Sequence, residues 1–329
     1  MVYLFYRRIS RFLSVFLFLS VVLWADNIIL ASDRQTAVAL ASYIMGGIYE
    51  REGETDLAVQ EYKKALKADE KNSTVHLALS AVYIKKKQIP LAIEEINFAI
   101  KYEPEMVEPH AILALLYFSQ DKILEAGNEY EIALQNAAKL EPQNISIFKS
   151  LGILYLQRKN FERAESTFKF IIGVSESDSE AHFYLANSLD EQKKRDAAVK
   201  ELKSAINIKP DYHQALNYLG YLYVEENKNF TEAEKLIKKA VEIEPENGAY
   251  IDSLGWLFFK QGKIKEAIKE LEKAVLLLED PVIFDHLGDA YSKIKDFSTA
   301  KDNWEKSLKL EPNQVQVKKK IEDARGKDK

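Results

Sequence analysis

The chain has 329 residues, 47% of them hydrophobic and 29% charged, with only 12 Gly and 8 Pro, which excludes a disordered or collagen-like polymer and leaves a globular, helix-rich chain. A formal net charge of -5 excludes a nucleic-acid binder that works by domain-wide neutralisation of phosphates. Cysteine is absent, so disulfides, thiolate metal sites and cysteine nucleophiles are ruled out; compartment stays open, because a continuous core needs no covalent staple.

The first element is apolar. Arg7, Arg8 and Arg11 precede the uncharged stretch Phe12 to Ala25 (FLSVFLFLSVVLWA), which Asp26 and Asn27 follow. A basic flank and an apolar run together read as an export signal. The 14-residue run is too short to cross roughly 30 Å of hydrocarbon at about 1.5 Å per residue, although continuing through Ile28 to Ala31 reaches 20. Residues 1–32 are therefore expected to be a signal peptide, cut after Ala25 or near Ala31 and Ser32, or an anchor retained over residues 12–31; a merely buried helix is the third reading. In the first two cases everything after residue 32 is exported, periplasmic or otherwise extracytoplasmic, and the membrane is touched only through this segment.

Beyond it a spacing of 34 residues recurs. The small residues Ala58, Ala92, Ala126, Ala164, Ala198, Ala233, Ala267 and Ala300 are separated by 34, 34, 38, 34, 35, 34 and 33 residues. Around each stand an apolar-small pair and an aromatic upstream, and an apolar and a small residue downstream. One unit reads Leu79-Ser80, Tyr83, Ala92, Ile96, Ala99, Pro104; another Leu219-Gly220, Tyr223, Ala233, Ile237, Ala240, Pro245; the last Leu287-Gly288, Tyr291, Ala300, Trp304, Ser307, Pro312. The pattern resembles the tetratricopeptide repeat over residues 39–312, with starts near 39, 73, 107, 145, 179, 213, 248 and 281. That resemblance implies an all-α, right-handed superhelical solenoid of antiparallel helix pairs. Small residues at the eighth repeat position let two helices approach, aromatics at the eleventh fill the remaining space, and proline ends each second helix. A lone hairpin cannot bury its apolar face, so stacking supplies the stability.

Departures from the period carry expectations of their own. Four extra residues in the third unit, Gln135 to Ala138, lengthen its second helix by one turn, about 6 Å. The fourth unit lacks its closing proline, and Gly173 followed by SESDSE marks that junction as a hinge. The sixth has an extra residue near Asn227 to Asn229. After Pro312, residues 313–329 read as a polar capping helix and tail, with the lysine cluster of VQVKKKIEDARGKDK on a solvated face.

No catalytic, cofactor or metal motif is found: there is no phosphate loop, dinucleotide glycine pattern, HExxH or nucleophile elbow. His76, His110 and His182 share the fourth repeat position with Leu216, Ile251 and Phe284, which makes them packing residues in equivalent seams; His213 and His286 form no motif. The sequons at Asn72, Asn144 and Asn229 matter only in a glycosylating host.

In the resembled family, ligands lie against the first helices, whose second, fifth, ninth, twelfth and thirteenth positions face a concave groove. Carried over, these positions give an apolar patch at Leu115, Phe118, Ile153 and Leu156. They then give a groove of Asn187, Asn217, Tyr221, Asp252, Trp256, Phe259, Asp285 and Asp289. Acids (Glu180, Asp190, Glu191, Glu225, Asp252, Asp285, Asp289) outnumber Lys260 and Lys293, so the expected partners are other proteins or extended peptide segments with basic and apolar side chains, with Tyr221 and Trp256 as anchors; the competing reading packs Trp256 beneath the neighbouring repeat and leaves the acids solvated. The leading expectation is a non-catalytic envelope scaffold in assembly of a secretion, pilus, outer-membrane or polysaccharide-export system. The alternatives are a carbohydrate-polymer binder using the same groove and an accessory subunit of a separate enzyme.

Overall fold

The computed structural model describes residues 31–324; the apolar stretch, with its cleavage or anchoring, lies outside them. Among the described residues are 17 helices and no strand, and helix makes up 81% of them, so the core is built by helix-on-helix packing alone. No described helix is long and apolar enough to cross a membrane.

The chain divides into two compact units at 147/148. The first holds α1 (Ala31–Arg51), α2 (Thr55–Ala68), α3 (Ser73–Lys85), α4 (Ile89–Tyr102), α5 (Val107–Ser119) and α6 (Ile123–Leu140). Here α1/α2, α3/α4 and α5/α6 are hairpins, with α2 packed on α3 and α4 on α5. Helix α7 (Ile145–Gln157) begins just before the boundary and opens the second unit, followed by α8 (Phe161–Val174), α9 (Ser179–Glu191), α10 (Arg195–Ile208), α11 (His213–Glu225) and α12 (Phe230–Ile243). The unit continues through α13 (Gly248–Lys260), α14 (Ile264–Leu277), α15 (Pro281–Lys293), α16 (Phe297–Leu310) and α17 (Val315–Ala324). Its hairpins stack in the same way, α10 on α11, α12 on α13 and α14 on α15.

The two helices of a hairpin differ because their surroundings differ. A first helix lies between its own partner and neighbouring hairpins, so α13 buries nine of its 13 residues. A second helix buries one stripe, such as Ala267, Leu271 and Ala274 of α14, spaced four and three apart. Close approach at the eighth position explains the small residues there. A Cβ on Gly46, Gly152 or Gly288 would stand 2.5–2.6 Å from the ring of Tyr62, Phe168 or Trp304. Aliphatic side chains crowd the same position, where a Cβ on Gly220 or Gly255 would stand 2.6 or 2.7 Å from Ile237 or Leu271, while Ser80 and Ala186 are accommodated there and fully buried.

Each hairpin turns through a residue in the left-handed region: Gly53, Lys87, Asp121, Lys159, Lys193, Asn227, Gly262 and Lys295, with φ between 52° and 79°. At Lys87 the turn closes with the Gln88 amide donating to Tyr83 O at 2.9 Å and the Lys87 amide to Ile84 O at 2.9 Å, which satisfies the last carbonyls of α3. The sixth turn is one residue longer, and Asn229 is also left-handed.

Helix α6 has 18 residues where every other second helix has 14. Its extra turn reaches over the preceding linker: Asn136 Nδ2 donates to Pro104 O at 3.0 Å, and Lys139 pairs with Glu105 at 2.8 Å. The junction after Gly173 lacks proline yet forms the same turn as its neighbours. The Ser175 amide donates to Ile171 O at 2.8 Å, Asp178 caps α9 by accepting from the Ala181 amide at 3.0 Å, and Lys149 pairs with Asp178 and Glu180 at 2.9 and 2.7 Å. Nothing in this geometry sets the junction apart as a hinge. At the C-terminal end, Val317, Ile321 and Ala324 of α17 pack on Ala300 and Trp304 and cover the last hairpin.

Candidate functional site

In the second unit the first helices of successive hairpins touch, α11 with α13 and α13 with α15, so side chains one repeat apart meet on a shared face. Asn187 stands on α9, Asn217 and Tyr221 on α11, Asp252, Trp256 and Phe259 on α13, and Asp285 and Asp289 on α15. Asn187, Tyr221, Phe259, Asp285 and Asp289 are half-buried. Asn217 is half-buried too, but its Oδ1 is sealed from solvent with no hydrogen-bond partner. Of the expected apolar patch, Leu115 and Phe118 are exposed on α5 of the first unit, and Ile153 and Leu156 are half-buried on α7.

The centre of the face is aromatic. Trp256 is 8% exposed and donates its Nε1 proton to Glu225 Oε1 at 2.8 Å, which ties α13 to α11. Its ring lies parallel to His286 of the next hairpin (centroids 3.9 Å apart, planes at 10°) and to Phe259 (4.7 Å, 6°). Lys260 Nζ sits 4.8 Å from the Trp256 ring centre and Lys293 Nζ 5.8 Å from that of Phe259. Trp256 is thus packed against its neighbour; its indole face is not free to serve as an open anchor.

The acids that gave the groove its expected sign mostly have internal partners. Asp252 Oδ1 lies 2.9 Å from His286 Nδ1, one repeat on, and both residues are buried. Lys320 of α17 donates to Asp285 at 2.7 Å and to Asp289 at 2.8 Å, and Trp304 Nε1 reaches Asp289 Oδ1 at 3.2 Å. Asp190 accepts from Tyr218 OH at 2.8 Å, and Arg195 Nε stands 2.7 Å from its other oxygen, off the hydrogen-bonding direction but well within ion-pair range. Glu180 is paired with Lys149. Several of these contacts run forward, with Tyr218, Trp256, His286 and Lys320 each answering an acid on the first helix before its own, whereas Lys149 of α7 answers Glu180 on the helix after it. Lys320 accordingly belongs to this pairing and not to the solvated face expected for the capping lysines.

These contacts move several protonation equilibria. Burial works against a charge on His286, but the carboxylates of Asp252, Asp285 and Asp289 outweigh it and hold its pKa above the ordinary value. Burial holds Asp289 above the usual carboxylate range despite Lys320. Burial, reinforced by Glu225 and Asp252, raises the Tyr221 phenol well above its usual value, so the hydroxyl stays neutral and able to donate.

The seam histidines make contacts that periodicity alone did not reveal. His76 Nδ1 lies 2.6 Å from Glu95, and the same 2.6 Å joins His110 to Glu129 and His182 to Glu201, each glutamate 19 residues on. The Nε2 atoms face the backbone carbonyls of Glu70, Pro104 and Glu176 at 2.9, 3.3 and 3.2 Å. Each ring therefore joins both helices of its hairpin and the linker before it. The signal available in the sequence was the recurring glutamate at that offset. Among the described residues no three His, Asp or Glu side chains gather where they could hold a metal ion.

Profiles described as tetratricopeptide repeat match residues 39–72, 149–213, 186–248, 250–278 and 283–314, together more than half of the chain. Residues 73–140, outside those matches, fold into the same hairpins, α3/α4 and α5/α6. Among solved structures, a tetratricopeptide repeat protein from Parabacteroides merdae superposes with a TM-score of 0.58 at 17% identity, covering 77% of this chain and 98% of that one. The APC/C hetero-tetramer Cut9-Hcn1 superposes with a TM-score of 0.54 at 17% identity, over 87% of this chain and 69% of that one. At such identities the likeness is one of fold. No curated protein matches the chain.

Proposed function

The chain belongs to the tetratricopeptide-repeat family, whose members are protein-interaction scaffolds, and from that premise we propose that it is a non-catalytic scaffold of the cell envelope that holds a partner on the first-helix face of its second unit. The observation that carries this reading is the continuous contact of α11, α13 and α15, which sets half-buried Tyr221, Phe259 and Asp285 side by side on rigid supports. A surface assembled from several repeats suits an extended segment that crosses them. Placement in the envelope rests on the basic flank and apolar run of residues 7–25.

The protein-binding reading is favoured over carbohydrate binding by the ring stack. A sugar ring packs on an open aromatic face, and Trp256 is 8% exposed with its ring against His286 and Phe259. Assembly of a multi-component envelope apparatus fits this reading, and one structural neighbour is itself part of a hetero-tetramer. A photo-cross-linking residue placed at Tyr221 or Phe259 in intact cells should give an adduct of discrete mass in the envelope fraction, whereas one at exposed Lys239 on α12 should not. Equal adducts at all three positions, or full-length protein found soluble in the cytoplasm, would overturn the proposal.

A further inference from the structure

Among the described residues, the internal pairing just described leaves four charged side chains of α9, α11, α13 and α15 on this face without an opposite charge, and they are sorted by sign along it. On the side of α9 and α11, Glu191 and Glu225 are exposed and no described cation lies within ion-pair distance of either; the indole that bonds Glu225 is neutral and leaves its charge intact. On the side of α13 and α15, Lys260 and Lys293 contact only the rings of Trp256 and Phe259, while the nearby acids Asp252, Asp285 and Asp289 are held by His286 and Lys320. An ammonium resting on a ring still has its hydrogen-bond donors to offer, and a carboxylate is their strongest partner.

We propose that this face is charge-polarised and takes an extended peptide segment that sets a basic side chain against Glu191 and Glu225 and an acidic side chain against Lys260 and Lys293. The proposal rests on the reading of the face as protein-binding and replaces the uniformly basic partner expected from counting acids. Its basis is charge complementarity, because uncompensated charges at fixed spacing discriminate between partners by register and direction. A segment bearing one sign only would meet like charge at one end.

The test is selection of random 12-residue displayed peptides on the full chain, alongside Lys260→Glu/Lys293→Glu and Glu191→Lys variants. Wild type should enrich peptides carrying both signs at separate positions. The double lysine variant should lose the acidic preference and bind the wild-type-selected peptides about tenfold more weakly at low salt, keeping the basic preference; Glu191→Lys should do the converse. All three substitutions are at half-buried or exposed positions, and unchanged far-ultraviolet circular dichroism and an unchanged urea-unfolding midpoint verify the fold. Enrichment of one sign only, or selected pools unchanged by the lysine substitutions, overturns the polarity while leaving a protein-binding face. Failure to enrich any peptide overturns both.

Discussion

His76 shows how much a single seam residue does. Both of its ring nitrogens face oxygen acceptors, the Glu95 carboxylate and the Glu70 carbonyl, an arrangement that calls for a proton on each nitrogen. Burial opposes that charge, but the hydrogen bonds to Glu95 and Glu70 outweigh it and raise the pKa. A group whose folded pKa lies above its unfolded one contributes stability that is complete below the unfolded value, about 6.5 for histidine, and is lost as pH rises through the folded value. Urea unfolding should therefore show wild type losing more stability between pH 6 and pH 9 than His76→Leu, which places here the residue type that Leu216 supplies in the sixth unit. Equal losses would show that folding leaves the pKa of this ring unmoved, and a smaller loss in wild type would show that the ring is buried neutral. The sequence assigned this position to packing and said nothing of charge, because periodicity reports which way a side chain points and not what it meets 19 residues on. The same holds for Trp256: its site on the first-helix face followed from repeat position, but its bond to Glu225 and its stacking on His286 depend on side chains of neighbouring repeats.

At the scale of an element, the small residues and the turns are where local rules decide the outcome. A Cβ on Gly288 would meet Trp304 at 2.5 Å and the Ala300 carbonyl oxygen at 3.0 Å, and the carbonyl belongs to helix backbone that cannot step aside. Gly288→Val should destabilise the protein by about 1–3 kcal/mol, measured by urea unfolding; an unchanged midpoint would mean that α15 and α16 separate freely. The turns make the opposite prediction. Lys193 holds φ at 63° with a side chain that this region disfavours, so Lys193→Gly should raise stability by about 0.5–1 kcal/mol, whereas Gly262→Lys at φ 79° should lower it. Thermal unfolding of the two variants separates these signs. The helix pairing was legible from the alanine spacing, and the longer α6 from the 38-residue interval that contains it. The left-handed lysines were not legible, since Lys carries no turn signal of its own and is placed there by the closing hydrogen bonds of the hairpin. The junction after Gly173 looked like a hinge for lack of proline, yet Asp178 and Lys149 supply from side chains the restraint that the missing ring would have given.

At the scale of the whole molecule, stability comes from nearest-neighbour stacking, so the end of the array needs a cover. Helix α17 provides it with Val317 and Ile321 against Trp304, and pins α15 through Lys320. Removing residues 313–329 should leave α15 and α16 exchanging amide hydrogens much faster while α9 and α10 keep their protection; uniform loss would indicate a single cooperative unit. Fold and family could be read from a period repeated eight times, because every hairpin faces the same packing problem and solves it with the same residue types. The sign of the binding face could not be read that way. Its acids were visible as a column, but the partners of Asp252, Asp285 and Asp289 sit further along the chain, and His286 and Lys320 fell outside the positions counted. The proposed protein partner lies on the first-helix face of the second unit, and hydrogen exchange of the full chain, alone and bound to the partner recovered by cross-linking at Phe259, is the measurement that decides it. Added protection in α9, α11, α13 and α15 with α10, α12, α14 and α16 unchanged is the expected result, and protection confined to those second helices would contradict it.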